Sequence, residues 1–156
     1  MLKLYKVSSG EKLYWETWET DEGGHLVHFG TLGTKGHCKT LPTFPEAEIG
    51  SLLEQDYRQV PLEEHAVAIT EYLIDGMGTE DDLEKRHRLQ DRMDQTLGWT
   101  GLGHCDGGSI GMGTMEVCCF VIDFELAKTV ISEDLEETEF ADFHRIYNEN
   151  EGPASC

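Results

Sequence analysis

A chain of 156 residues with 38% hydrophobic content and fourteen aromatic side chains has room for one ordinary domain or two small ones, and is too apolar to be disordered throughout. Its 31 acidic residues against 12 basic ones, a formal charge of −19, set it against nucleic-acid backbones and anionic membranes, which are bound through Lys and Arg. The same surplus would attract a basic protein and speed the encounter.

In chain order, the first forty residues read as short strands. KLYKVSS (3–9) alternates and turns at Gly10. KLYWETWET (12–20) places Leu13, Trp15 and Thr17 on one face and Tyr14, Glu16 and Trp18 on the other. DEGG (21–24) is a hairpin signal, HLVHFGTLG (25–33) returns, and TKGHCKTL (34–41) supplies a further turn and strand. After Pro42 and Pro45, EAEIGSLLEQDYRQV (46–60) has Ile49, Leu52, Leu53 and Tyr57 at helical spacing. Pro45 suits the start of that helix because its missing N–H costs nothing there.

The segment from residue 12 to 41, followed by a helix, resembles the WGR domain, a small sheet-plus-helix module named for a Trp-Gly-Arg triplet in the form W-G-R-x-G-x-x-G. Here the triplet reads Phe29-Gly30-Thr31, with Gly33 and Gly36 at the later glycine positions. The resemblance covers about a third of the chain and implies the fold of residues 1–60. Some members bind DNA ends beside ADP-ribosyltransferase domains, which implies a nucleic-acid-associated regulator as an alternative function. Lys3, Lys6, Lys12, Lys35 and Lys39 would then have to share one surface. Thr31 stands where the family has Arg, and it cannot present a cation to a phosphate.

The next part, 61–148, reads differently. EEHAVAITEYLIDG (63–76) is a strand with Val67, Ile69, Glu71 and Leu73 on one face and Ala66, Ala68, Thr70, Tyr72 and Ile74 on the other. GTEDDLEKRHRLQDRMDQTLG (78–98) is a helix capped by Thr79. Glu80, Asp81 and Asp82 complement its dipole; Leu83, Arg86, Leu89 or Gln90, Met93 and Leu97 run along one side, and Gly98 ends it. A glycine-rich hairpin between Gly103 and Gly113 leads into TMEVCCFVI (114–122), whose continuous apolar character suits a central strand. Asp123 caps a second helix, FELAKTVISEDLEE (124–137), with Phe124, Ala127, Val130, Ile131 and Leu135 inward, and FHRIYNE (143–149) is a last strand. The order strand, helix, strand, strand, helix, strand is that of an α+β ferredoxin-like sandwich with both helices on one face of an antiparallel sheet. Residues 149–156 read as a flexible tail. The open sheet face offers a route to a homodimer, through Thr70, Tyr72, Cys118 and Phe120.

The glycine stretch TGLGHCDGGSIGMG (100–113) runs into a strand and not a helix, and no Lys-Ser/Thr pair follows, so it reads as a hairpin and not as a phosphate cradle. His104, Cys105 and Asp106 with Cys118 or Cys119 lack the paired spacing of a zinc site, so no metal or cofactor is expected. The odd count of five cysteines, with Cys118 and Cys119 adjacent, reads as reduced packing thiols. A thiolate at Cys105, near His104 and His144, would be disfavoured by the acidic surroundings. Glu63, Glu64, Glu71, Asp75, Asp106 and Glu116 single out no carboxylate pair; Asp75 and Asp106 follow strands and would meet at a sheet end, the basis for a small-ligand hydrolase as a further alternative.

Charge is uneven: nine acids against six bases up to residue 60, and twenty-two against six beyond it. SEDLEETEFAD (132–142) holds Glu133, Asp134, Glu136, Glu137, Glu139 and Asp142 with Phe140 interleaved. With Glu80, Asp81, Asp82 and Glu84 these residues form the candidate docking face for a basic partner, Leu135, Phe140 and Phe143 being interleaved and an exposed aromatic among them, Phe140 or Phe143, the expected anchor. Arg86, His87, Arg88 and Arg92 read as a salt-bridged helix surface. The longest mostly apolar run, Val117 to Ile122, is too short to span a bilayer, and the N-terminal segment lacks the apolar core of a signal peptide, so a cytoplasmic location is expected. The expected function is that of a non-enzymatic acidic protein-binding module, for instance an immunity-type inhibitor of a basic toxin or nucleic-acid-acting enzyme.

Overall fold

A computed structural model describes residues 1–7 and 10–150. The fold is α+β, with two four-stranded antiparallel sheets and three α-helices. The chain divides into two compact units: residues 1–61 with Trp99–Gly101, and residues 62–98 with 102–156.

In the first unit β1 (Leu2–Lys6), β2 (Leu13–Glu19), β3 (His25–Thr31) and β4 (His37–Leu41) pair in sequence order. Leu4, Trp15 and Phe29 stand opposite one another on β1, β2 and β3, and Leu4, Trp15 and Val27 form a buried cluster with Phe29, Leu41 and the α1 residues Ile49 and Leu52 packed against it. Helix α1 (Glu46–Glu54) is shorter than the sequence suggests: Gln55 caps it, Asp56 has a left-handed φ of 71°, and Tyr57 reaches the core from beyond its end. Strand β2 is buried on both faces, not on one. Tyr14, Trp15, Glu16 and Thr17 are all inaccessible, so its alternation separates two interiors and not core from solvent.

The second face is covered by a segment distant in sequence. Gly101 lies flat against the Tyr14 ring, where any Cβ would overlap it, and Trp99 meets His28 and Trp18 edge-on. The loop after β3 closes on Gly30 and Gly36. A Cβ on Gly30 would lie 2.7 Å from Gly36 Cα, and one on Gly36, whose φ is +63°, would overlap the Phe29 carbonyl and crowd the Tyr14 hydroxyl. These two glycines let the backbone fold tightly back on itself.

The second unit runs β5 (Ala66–Leu73), α2 (Glu80–Trp99), β6 (Gly103–Gly111), β7 (Thr114–Val121), α3 (Phe124–Leu135) and β8 (Arg145–Asn148), with sheet order β6-β7-β5-β8. The two middle strands are thus the first and third of this unit. Met115, Val117, Cys119 and Val121 on β7, Ala68, Thr70 and Tyr72 on β5, and Leu89, Met93, Leu97, Ala127, Ile131 and Leu135 on the helices are all buried. Both helices start as their sequences dictate. The Thr79 hydroxyl accepts from Asp82 N while the Asp82 carboxylate accepts from Thr79 N, a reciprocal cap, and Asp123 accepts from Leu126 N.

One reading of the sheet is corrected by its register. Thr70 and Tyr72 lie on the covered face, opposite Val117 and Met115, so of the four residues expected at an open face only Cys118 and Phe120 remain there. The glycine stretch is the hairpin expected of it: strand β6, with a bulge between Cys105 and Gly108, turns at Met112 and Gly113 into β7. Of the residues expected in a tail, Glu149 and Asn150 instead extend the pairing of β8, bonding to the Val67 backbone. Residues 151–156, with Cys156, lie outside the described residues, as do Ser8 and Ser9.

Candidate functional site

The end of β5 and the start of α2 border a cavity of about 400 Å³ lined by Tyr72, Leu73, Ile74, Asp75, Thr79, Asp82, Lys85, Met115 and Asp142. Local structure explains how these groups meet. Asp75 follows the strand directly. Asp82 is held at the first turn of α2 by its cap with Thr79. Lys85, one turn on, ion-pairs with Asp142 at 3.0 Å, and its ammonium stands 5.0 Å from the Tyr72 ring centroid. The Tyr72 hydroxyl donates to the Phe140 carbonyl at 2.7 Å, which ties the residues after α3 to the cavity floor. Burial, with the Asp142 charge as a smaller contribution, pushes the Tyr72 hydroxyl well above its usual pKa, so it stays a neutral donor. Three carboxylates face one ammonium here, and the cavity suits a cationic group.

The acidic residues expected to dock a partner are divided by the structure. On the α2 side Arg92 holds Asp134 at 2.9 Å, Arg88 holds Glu139 at 2.7 Å and Lys85 holds Asp142. Arg88 and Arg92 therefore reach across to the segment that begins at the end of α3, while Arg88 is also attracted by Glu84 and Asp81 on its own helix. Glu136 and Glu137 are exposed, and Glu133 and Glu136 border a second, shallower cavity with Ser132, Ala141 and Phe143. Glu80 and Asp81 are exposed on the first turn of α2. Phe140 is corrected: it is 5% exposed and belongs to the core, so it is no surface anchor. Its place in an acidic run gave no sign of this, because the chain after α3 is irregular and has no period to read.

A carboxylate pair that the sequence did not single out lies on the other face of this sheet. Glu71 and Glu116 are directly opposite on β5 and β7. Arg145 on β8 grips Glu71 with two bonds, at 2.9 and 3.2 Å, and stacks 4.1 Å from the Tyr147 ring. Burial first, then a hydrogen bond and repulsion from Glu71, raise Glu116 above the ordinary carboxylate range, while Tyr147 and Arg145 oppose the shift. By contrast, Asp75 and Asp106 do not meet: Asp106 sits in the β6 bulge beside Val117 and Cys119, and Asp75 lies past the opposite end of β5, where Leu73 pairs with Thr114.

Cys105 and Cys119 are joined in a disulfide, which corrects the expectation of reduced thiols. The register places them directly opposite each other, while Cys118 points to the other face. The bond removes Cys105 both as a nucleophile and as a metal ligand. Among the described residues no group of three or more His, Cys, Asp or Glu is arranged to hold a metal, and no helix is long and apolar enough to cross a membrane.

In the first unit a buried chain of polar groups runs from Glu16 through His28 to Tyr14. His28 Nδ1 is 3.6 Å from Glu16, longer than a hydrogen bond, and Nε2 contacts the Lys35 carbonyl at 2.6 Å and the Tyr14 hydroxyl at 3.1 Å. The Nε2 proton is therefore directed at a carbonyl, and Tyr14 gives its own to the Thr34 carbonyl. Both of these protons are directed at carbonyls of the turn after β3, and His28 is wholly buried. No family model, curated protein or solved structure matches the chain.

Proposed function

We propose that this chain is a non-enzymatic acidic module that binds a basic protein, with the cavity beside α2 as the point of cation entry. The observation that carries the reading is the convergence of Asp75, Asp82 and Asp142, from three separate stretches of sequence, on one cavity of about 400 Å³. Such a concave acidic site concentrates field and selects a lysine or arginine side chain in preference to a phosphate. Immunity-type inhibition of a basic toxin or of a nucleic-acid-acting enzyme is the role this chemistry fits best, since both kinds of partner carry cationic clefts. The first unit serves as a WGR-like scaffold in this reading, supported by the Gly30–Gly36 contact, and the second as a ferredoxin-like one, supported by its strand order.

The test is retention of basic proteins from a lysate of the source cell at low salt, followed by identification and titration with the purified partner. Binding should weaken steeply as salt rises and should fall about tenfold or more in an Asp75→Asn, Asp82→Asn double variant, the scale of a buried charge contact at an interface. No basic protein retained, or equal retention by the variant, overturns the reading.

A further inference from the structure

Next to the acidic cavity the chain exposes apolar side chains that folding does not explain. Leu73, which lines the cavity, is 64% exposed, Met77 is 71% exposed and Met112 is 89% exposed. They lie at one end of the second unit's sheet, around the β6–β7 turn. Leu73 pairs with Thr114 across the sheet, Ile74 N donates to the Gly113 carbonyl, Gly113 N donates to the Gly76 carbonyl, and the Met77 methyl lies over Gly111. Half-buried Ile74 and Ile110 pack around Gly78. Met112 is the least expected of these residues. It occupies the first position of a two-residue turn with φ of +53°, followed by Gly113 at +88°, where Asn or Gly is favoured and a flexible apolar side chain gains nothing. Unbranched methionines adapt to whatever apolar surface meets them, which makes them effective at binding surfaces.

We propose that Leu73, Met77 and Met112 form a docking surface for an amphipathic basic segment of a partner protein. Its aliphatic side seats on the methionines while a lysine or arginine enters the cavity between Asp75, Asp82 and Asp142. The proposal rests on the preceding reading and adds the form of the partner. Charge complementarity selects this occupant. A second copy of the chain would bring like carboxylates together at the same patch, and an anionic lipid surface would be repelled by them.

The experiment is fluorescence anisotropy of the full chain with two labelled peptides of equal positive charge, an amphipathic lysine–leucine helix and a lysine–serine counterpart. The leucine peptide should bind about tenfold more tightly, and Met112→Asn and Met77→Ser should each remove most of that advantage without changing affinity for the serine peptide. Met112→Asn should also raise the melting temperature, because Asn suits the turn, and this separates lost docking from lost folding. Equal binding of the two peptides, or wild-type affinity in both methionine variants, overturns the docking surface and leaves the electrostatic reading standing. If neither peptide binds, or if the Asp75→Asn, Asp82→Asn variant binds both like wild type, the electrostatic reading falls and the docking surface with it.

Discussion

At the scale of single residues, glycine decides the conformation of the loop after β3. Gly36 combines a left-handed φ of 63° with a backbone contact too close for any Cβ. Gly36→Ala should therefore destabilise the first unit by about 2–4 kcal/mol, the sum of left-handed strain and overpacking. Chemical denaturation checks this, and a change below about 1 kcal/mol would show that the loop relaxes freely. The glycine spacing from Gly30 to Gly36 is legible in the sequence. The reason for it is not, because the Tyr14 side chain that crowds Gly36 comes from another strand and its contact is made only by the register of β2 with β3. The same blindness applies to Glu71 and Glu116. Each alternates correctly on its own strand, but opposition across two strands is a tertiary fact.

At the scale of elements, that opposition has a consequence for β5 and β7. Glu116 in the folded chain holds its proton more tightly than an ordinary glutamate of pKa 4.5 does, mainly through burial and then through Glu71. The folded state therefore binds more protons than the unfolded one. The stabilising contribution is complete at pH below the unfolded value and is lost as pH rises through the raised folded value. Glu16 in the first unit is raised by burial as well and contributes in the same direction. Glu116→Gln carries its hydrogen at every pH, so its melting temperature should fall less than that of the wild type between mild acidity and neutrality. Parallel pH profiles for the two proteins would show that folding does not raise the Glu116 carboxyl. The strands of both β-sheets, the helix-capping residues Thr79 and Asp123, and the central place of β7 follow from periodicity, apolar character and capping chemistry alone. The double burial of β2 does not, because Trp99–Gly101 arrives from about eighty residues away and no local pattern announces it. The disulfide escaped for a similar reason: adjacent Cys118 and Cys119 point to opposite faces, and only the hairpin register brings Cys105 to one of them.

At the scale of the whole chain, a formal charge of −19 acts on stability and on binding with opposite sign. Carboxylates such as Glu80, Asp81, Glu136 and Glu137 repel one another in the folded state more than in the expanded one, so screening them relieves a destabilising force. Attraction to a basic partner comes from the same charges, and screening weakens it. The Debye length falls from about 30 Å at 0.01 M salt to about 10 Å at 0.1 M, which spans the separations that matter on a surface of this size. The melting temperature of the free chain should therefore rise by a few degrees over that range while affinity for a lysine-rich peptide falls. The Arg92–Asp134, Arg88–Glu139 and Lys85–Asp142 pairs limit the first effect. They are solvent-facing pairs whose attraction water and side-chain freedom largely cancel, and salt weakens them too. If melting temperature and affinity fell together with salt, attraction within the chain would outweigh repulsion, and the acidic surplus would be balanced internally and not held ready for a partner. The sequence shows the surplus plainly but not its placement, since three of the carboxylates in the acidic run face cations on α2 while Asp75, which lies outside that run, reaches the cavity. An opposite response of the two quantities is what distinguishes a chain whose charge is held for a partner from one whose charge serves only solubility.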